Sequence, residues 1–437
     1  MSARQIFAAA AFALVAFVPQ FANAVDVKVV PAAKGEEVWF VEDHTVPIVA
    51  MSAAIPAGSA YDPQGKDGLS AMAAALLDEG AGKMNSDAYH TALDDKAIQL
   101  SVSPSRDYAV IRIVTLAENA KEAFQLLGLA LAHPRFDADA IQRIRAQMIE
   151  SIKQDEQEPA TVAGKEFTRR FFPGHPYGHP VSGDINTLST ITQNDLRQFA
   201  RTHWVRGGLK IAVSGDINEA TLKTLLGAAF DAIPATKPPA PPNVTRLGSP
   251  GIHVVPMPVP QPTVEFGLPG ILRADKDFIP AYVANYILGG GGFSSQLMKE
   301  VREKRGLTYG IDTDLNTYSK AGVFVGQVAT KKDSVKQTID VIRQVMSNFA
   351  EKGATASELT DAKTYLTGSY PLAFDSNTGI AAQLNAFQRV GLSSDYITKR
   401  NDMIEAVTLD DIKRVAKRLF NPAKMTIVVG GSFSDGK

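Results

Sequence analysis

The chain has 437 residues, 45% of them hydrophobic and 21% charged, with a formal net charge of −1 and no cysteine. That length exceeds one ordinary core and asks for two or more domains, and the near-neutral balance offers no basic excess for nucleic acid. The lack of thiols excludes disulfides, thiolate metal sites, cysteine nucleophiles and lipidation at an N-terminal cysteine.

Residues 1–24 read as a secretory signal. Arg4 supplies the positive start, an apolar run extends from Ile6 to Val18, and Ala22 and Ala24 give the small-residue pattern of a cleavage site. The run is short for a bilayer span, and export without disulfides fits a bacterial periplasm.

Residues 25–233 form the expected N-terminal half. The stretches 47–55, 99–105 and 108–116 alternate and are rich in β-branched residues, so they predict strands; 68–80 and 119–132 predict helices. Strands grouped in meanders with helices on one face make an α+β domain. The proline-rich stretch around Pro234 to Asn243 lacks backbone donors and cannot continue a helix or a central strand, which predicts a stiff linker over 234–247. Residues 248–437 form a second α+β half. The segment from Asn194 to Gly215 aligns without gaps on Asp410 to Gly431, sharing a helix with Leu196 and Phe199 or Ile412 and Val415, a closing Trp204 or Phe420, a strand, and a final glycine. The shared order points to duplication.

One stretch raises a chemical question: Gly289 to Gly310, GGGGFSSQLMKEVREKRGLTYG. Glycines before a helix often cradle phosphate, but no Gly-Lys-Ser/Thr follows and the glycine spacing is not that of a dinucleotide fingerprint. Ser294 or Ser295 can cap the helix, Leu297 and Val301 share an apolar face, and Gly306 allows a reversal into a strand containing Tyr309.

Two α+β halves, the segment from Gly174 to Thr192 and the glycine-led motif resemble the pitrilysin or insulinase family of zinc metallopeptidases over most of the chain from about Val46 to Gly431. The resemblance implies a clamshell of two halves whose active half carries H-x-x-E-H on a helix, with a distal glutamate as third zinc ligand. Here Ala71, Ala74 and Ala75 stand at the positions of the histidine, glutamate and histidine, and only Glu150 falls at the distal position. None of His44, His90, His133, His175, His179, His203 and His253 belongs to an H-x-x-E-H, and Pro176 and Pro180 put His175 and His179 on a loop. The resemblance also implies that Arg302 and Tyr309 contact bound peptide near the scissile bond. Gly289, Gly290, Gly291, Gly292 and Phe293 are expected to lie against it, since backbone free of side chains can lend hydrogen bonds to an extended peptide; a plain mobile loop is the alternative. The expectation is a non-catalytic subunit without a cofactor of its own, in a heterodimer whose homologous partner holds the zinc. A structural or assembly protein of the same fold, without proteolytic duty, is the alternative.

Overall fold

A computed structural model describes residues 25–31 and 36–432; the signal segment expected at 1–24 lies outside the described residues. In the first half, strands β1 (Lys28–Pro31), β2 (Glu37–Glu42) and β3 (Ile48–Ile55) lead to helix α1 (Leu69–Ala75) and a small hairpin of β4 (Gly80–Ala81) and β5 (Met84–Asn85). Helix α2 (Ser86–Asp94), strands β6 (Gln99–Pro104) and β7 (Ala109–Leu116), and helices α3 (Ala120–Ala132), α4 (Ala138–Asp155) and α5 (Pro159–Phe171) follow. Helices α6 (Ile185–Thr190) and α7 (Gln193–His203), strand β8 (Lys210–Gly215) and helix α8 (Glu219–Phe230) complete it.

The second half runs β9 (Gly251–Val255), β10 (Thr263–Pro269), α9 (Phe278–Asn285), β11 (Ile311–Thr317), β12 (Gly322–Ala329) and α10 (Val335–Lys352). It ends with α11 (Ala356–Gly368), α12 (Asn377–Arg389), α13 (Tyr396–Glu405), α14 (Leu409–Leu419) and β13 (Thr426–Gly430). The first sheet has the order β1-β2-β8-β3-β7-β6 and the second β11-β12-β10-β13-β9, so β6 and β11 are matching edge strands. Residues 234–250 between the halves form neither helix nor strand, and the Pro242 carbonyl meets His175 Nε2 at 2.9 Å.

The repeat is visible in detail. Helices α7 and α14 each start with a capping box, Thr192 with Asp195 and Thr408 with Asp411, in which threonine and aspartate satisfy each other's backbone donors. Strands β8 and β13 each run into a glycine with positive φ, Gly215 at 146° and Gly431 at 141°. A side chain there would also strike backbone, since a Cβ on Gly215 would sit 2.2 Å from the Ile48 oxygen.

Why both faces of each sheet are apolar follows from an exchange of helices. Helix α5 of the first half packs on β10 and β13 of the second, and α12 of the second packs on β3 and β8 of the first. In β2, Val38 and Phe40 point into the core of the first half, while Trp39 and Val41 join a core made mostly by the second. In β13, Ile427 and Val429 face that second core, and Val428 packs with Phe167 and Phe171 of α5. Strands buried on both faces read as continuous apolar runs, as these do. Polar ties fix the exchange: the Asn385 and Gln388 amides donate to the Lys210 and Ile211 carbonyls at 2.9 and 3.0 Å, and Ser214 Oγ donates to Asn377 Oδ1 at 2.6 Å. At the turns that end the two edge hairpins, the buried Asp107 carboxylate accepts from Tyr177 Oη at 2.5 Å, Ser319 Oγ at 2.6 Å and Ser319 N at 2.9 Å.

Because α5 belongs to one half and stabilises the other, the two cannot unfold independently. Phe167→Ala should cost about 3–5 kcal/mol and still give one thermal transition monitored by tryptophan fluorescence, which reports Trp39 and Trp204 in the first half, and by circular dichroism, which reports both. Two resolved transitions would contradict the interlock.

Candidate functional site

Helix α1 is held at its start by Asp62, whose carboxylate accepts from Gly68 N at 2.9 Å and Ser70 N at 2.8 Å. Burial pushes this carboxyl up to about 7 despite those donors. The helix is shorter than the predicted 68–80 stretch, because the chain turns out at Leu76 and Gly80, with φ of 114°, begins the β4–β5 hairpin. Ala71 and Ala74 are buried and Ala75 is half-buried. Their methyl groups have no lone pair, so this face does not fit a zinc ion. Glu150 does not compensate. It stands on α4 with its side chain 61% exposed, 3.7 Å from Lys153, away from the face of Ile141, Ile144 and Ile152 that packs inward. His175 and His179 lie at the two ends of a short helical turn; the first is buried against Pro242 and the second binds Asp67 at 2.7 Å.

Just past α1, Asp78, Glu79 and His90 bring one ligand atom each within 4.8 Å of one another, the set among the described residues that could hold a metal. His90 Nε2 is 3.7 Å from Asp78, whose carboxyl is raised by burial. Glu79 already accepts from Ser86 Oγ at 2.5 Å and from the Arg143 guanidinium. Arg143 thus stands where the positive charge of an ion would go, and the cluster is compensated from within. Sequence spacing gave no sign of it, since the three residues come from a turn and from α2.

The glycine run has two structural halves. Helix α9 ends in a wide π-helical turn over Tyr286–Gly290, and a tight turn over Gly292–Ser294 follows. This end packs on edge strand β11: a Cβ on Gly289 would sit 2.3 Å from Thr313 Oγ1, and one on Gly290 2.8 Å from the Asn285 amide. Asn285 fixes the contact, donating to the Thr313 carbonyl at 3.1 Å and accepting from its hydroxyl at 2.8 Å. Gly289 is buried and Gly292, with φ of 57°, is exposed next to Phe293, which is 64% exposed. Ser295 accepts from Met298 N at 3.3 Å and so caps the next helical turns, with Leu297 and Val301 fully buried beneath them.

Arg302 lies in the π-helical turn Met298–Glu303. Its guanidinium sits 4.8 Å from the Phe293 ring centroid and makes no hydrogen bond or ion pair among the described residues. Gly306 reverses the chain at φ of 60°. Tyr309 then falls in a bend rather than inside the strand as expected, because Thr308 Oγ1 bonds to Gly310 O and Ala329 O and strand pairing starts only at Ile311. The Tyr309 side chain is 90% exposed. Arginine fork and phenol are both free to meet a ligand from outside the chain.

With this geometry in hand, the comparisons are informative. An insulinase (peptidase family M16) model matches residues 37–185, and a peptidase M16 inactive-domain model matches residues 190–366. This chain belongs to peptidase family M16. A crystal structure of a peptidase M16 inactive domain from Pseudomonas fluorescens superposes with a TM-score of 0.89 at 28% identity, over 94% of this chain and 99% of that one. The non-peptidase homolog YmxG of Helicobacter pylori is 27% identical over 386 residues, which cover 87% of this chain and 88% of that protein. The Bacillus subtilis YmxG, described as an uncharacterized zinc protease, is 22% identical over 88% of this chain and 94% of its own. Relatives of this M16 member therefore bear both descriptions; the inactive-domain match and the non-peptidase homolog fit a chain without a catalytic zinc of its own.

Two outcomes follow for the isolated M16 chain. After dialysis, elemental analysis should find well below one zinc per chain, and one tightly held ion per chain would show that other residues make a site. Gly289→Ala should lower stability by about 1–3 kcal/mol through the clash with Thr313, whereas Phe293→Ala at the exposed end should change it by less than about 0.5 kcal/mol. Equal effects in urea unfolding would remove the division of the run.

Proposed function

We propose that this M16 protein is the non-catalytic, substrate-orienting subunit of a heterodimeric zinc metallopeptidase acting on peptides in the periplasm. The observation that carries the proposal is a contrast within one chain: alanines stand at the positions where the family resemblance expects the metal motif, while the Arg302 guanidinium and the exposed Tyr309 hydroxyl have no hydrogen bond or ion pair among the described residues. The partner is a homologous chain with an intact H-x-x-E-H, which holds the zinc and activates water. Arg302 and Tyr309 donate to the carbonyl of the scissile peptide and to the oxyanion that develops on it, as preorganised donors do in acyl-transfer sites. Phe293 supports this arrangement by holding the guanidinium over its ring. Gly292, exposed and with open space around it, lets an extended peptide approach the backbone, while Gly289 and Gly290 position that backbone by packing on β11. The amino-terminal signal pattern at residues 1–24 supports the periplasm.

In the complex with a metal-bearing partner, Arg302→Ala or Tyr309→Phe should lower kcat on the order of 10²-fold while the partner's zinc content and the assembly stay intact. A loss confined to KM would assign the pair to ground-state binding instead. If both variants assemble and cleave at the unmutated rate, the pair does not orient substrate and the chain's role in the complex is structural.

A further inference from the structure

Away from Arg302 and Tyr309, the second half encloses a pair of adjoining cavities at the far end of β11. One, of about 400 Å³, lies between the halves, where the turn before β7 meets the turn before β12 and the end of α12. The other, of about 580 Å³, is enclosed by α9, α11, α12 and α13 beside β11. They share Arg273, Thr317 and Val390 in their walls, so the two adjoin. Their position follows the repeat. Helix α9 follows β10 as α1 follows β3, and α11 follows α10 as α4 follows α3, so the space lies where the first half has its degenerate metal face.

The chemistry of the walls is specific. The first cavity presents Arg106, Arg273 and Arg389 against a single carboxylate, Asp107, whose oxygens are already taken by Tyr177 and Ser319. The second adds Arg400 and no acidic residue. None of the four arginines forms an ion pair among the described residues. Arg106 Nε donates to the Tyr177 carbonyl at 3.1 Å, and Arg400 Nη1 donates to the Leu366 carbonyl at 3.0 Å. Arg273 is sandwiched at 4.2 Å from the Phe278 centroid and 4.9 Å from that of Tyr396. Arg389 is the one left over: its guanidinium makes no hydrogen bond among the described residues, and its Nε is closed off from solvent. Burial holds both Arg273 and Arg389 below the ordinary guanidinium value, a loss of hydration that the charge of Asp107 near Arg389 and the Tyr396 hydroxyl beside Arg273 do not fully offset. The larger cavity is otherwise lined by aliphatic residues and by a cluster of rings, Tyr282, Tyr286, Tyr370 and Phe387 among them, and the Tyr370 hydroxyl is shielded and without a hydrogen-bond partner among the described residues.

A partly buried, unpaired guanidinium is costly unless something supplies the missing anion. Apolar, aromatic cavities with a few convergent polar groups are the usual form of small-ligand sites. We propose that this composite cavity binds a carboxylate that carries an aromatic or bulky apolar group, with the carboxylate received by Arg389 and Arg273 and the ring lodged among Tyr282, Tyr370 and Phe387. The C-terminal residue of a peptide and a free aromatic acid share that chemistry. The larger cavity reaches Tyr286 and Gly290 at the start of the glycine run, but binding there needs no second subunit, so it is tested on the isolated chain separately from the roles of Arg302 and Tyr309.

Isothermal titration of the isolated mature chain tests it. N-acetyl-phenylalanine should bind, and its C-terminal amide, which lacks the charge, should bind at least tenfold more weakly, as should acetate, which lacks the ring. Arg389→Gln should weaken N-acetyl-phenylalanine at least tenfold. Peptides ending in phenylalanine identify the natural source: tighter binding with length assigns a peptide end and unchanged binding a free acid, and either supports the class. Arg389→Met guards against a purely structural role, since removing an unsatisfied cation should leave the melting temperature unchanged or raise it. No heat with millimolar N-acetyl-phenylalanine, equal binding of acid and amide, inorganic phosphate binding as tightly as the aromatic acid, or a melting temperature several degrees lower for Arg389→Met would each overturn the proposal.

Discussion

The exchange of α5 and α12 is the constraint on which the rest of this molecule depends. Each sheet has its own helices on one face and borrows a helix from the other half for the second face. Burying a large apolar side chain such as Phe167 contributes about 1.5–3 kcal/mol, and here that contribution from one half's sequence stabilises the other half's sheet. The halves are thereby fixed against each other, with Asp107 joining the two hairpin turns. Edge strands β6 and β11 end next to each other, and the space between the halves becomes a defined cavity rather than a hinge.

On this frame the two copies have diverged in chemistry. In the first, the helix at which the family resemblance expects the metal motif serves as packing: small methyl groups under a helix anchored by Asp62. Of the acidic residues nearby, Glu79 is committed to Arg143 and Ser86, and Asp78 faces His90. The second copy presents cations without an ion pair among the described residues, Arg302 near the exposed Tyr309 at one end of β11 and Arg273 and Arg389 at the other, held by aromatic rings or burial rather than by carboxylates.

Much of the fold could be read from the amino acids alone. Alternation placed β3, β6 and β7 to within a residue or two, and the gapless match of residues 194–215 with 410–431 exposed the duplication. The capping boxes straddle the start of that match, with Thr192 and Thr408 just before it and Asp195 and Asp411 inside it, and add a local reason for both helices to start where they do. The length of α1 was overestimated, because an alanine-rich run continues the helical pattern while Gly80 answers to the hairpin. At the candidate site, the absent imidazoles were legible in the sequence, since no neighbour can give alanine a lone pair. The reason for Gly289 was not: it depends on Thr313, which reaches it only through the packing of α9 on β11. Nor was the arginine cavity, whose members at 106, 273 and 389 are brought together by the interlocked halves and have no spacing to betray them.

The central claim is that this chain supplies half of an active site to a partner that supplies the metal. The most direct measurement titrates the chain into a homologous M16 protein bearing H-x-x-E-H and follows the rate of peptide cleavage. The account predicts that each protein alone is nearly inactive and that the rate rises to a plateau at one chain per partner. A partner that cleaves peptides fully by itself, with no gain on adding this chain, would contradict it.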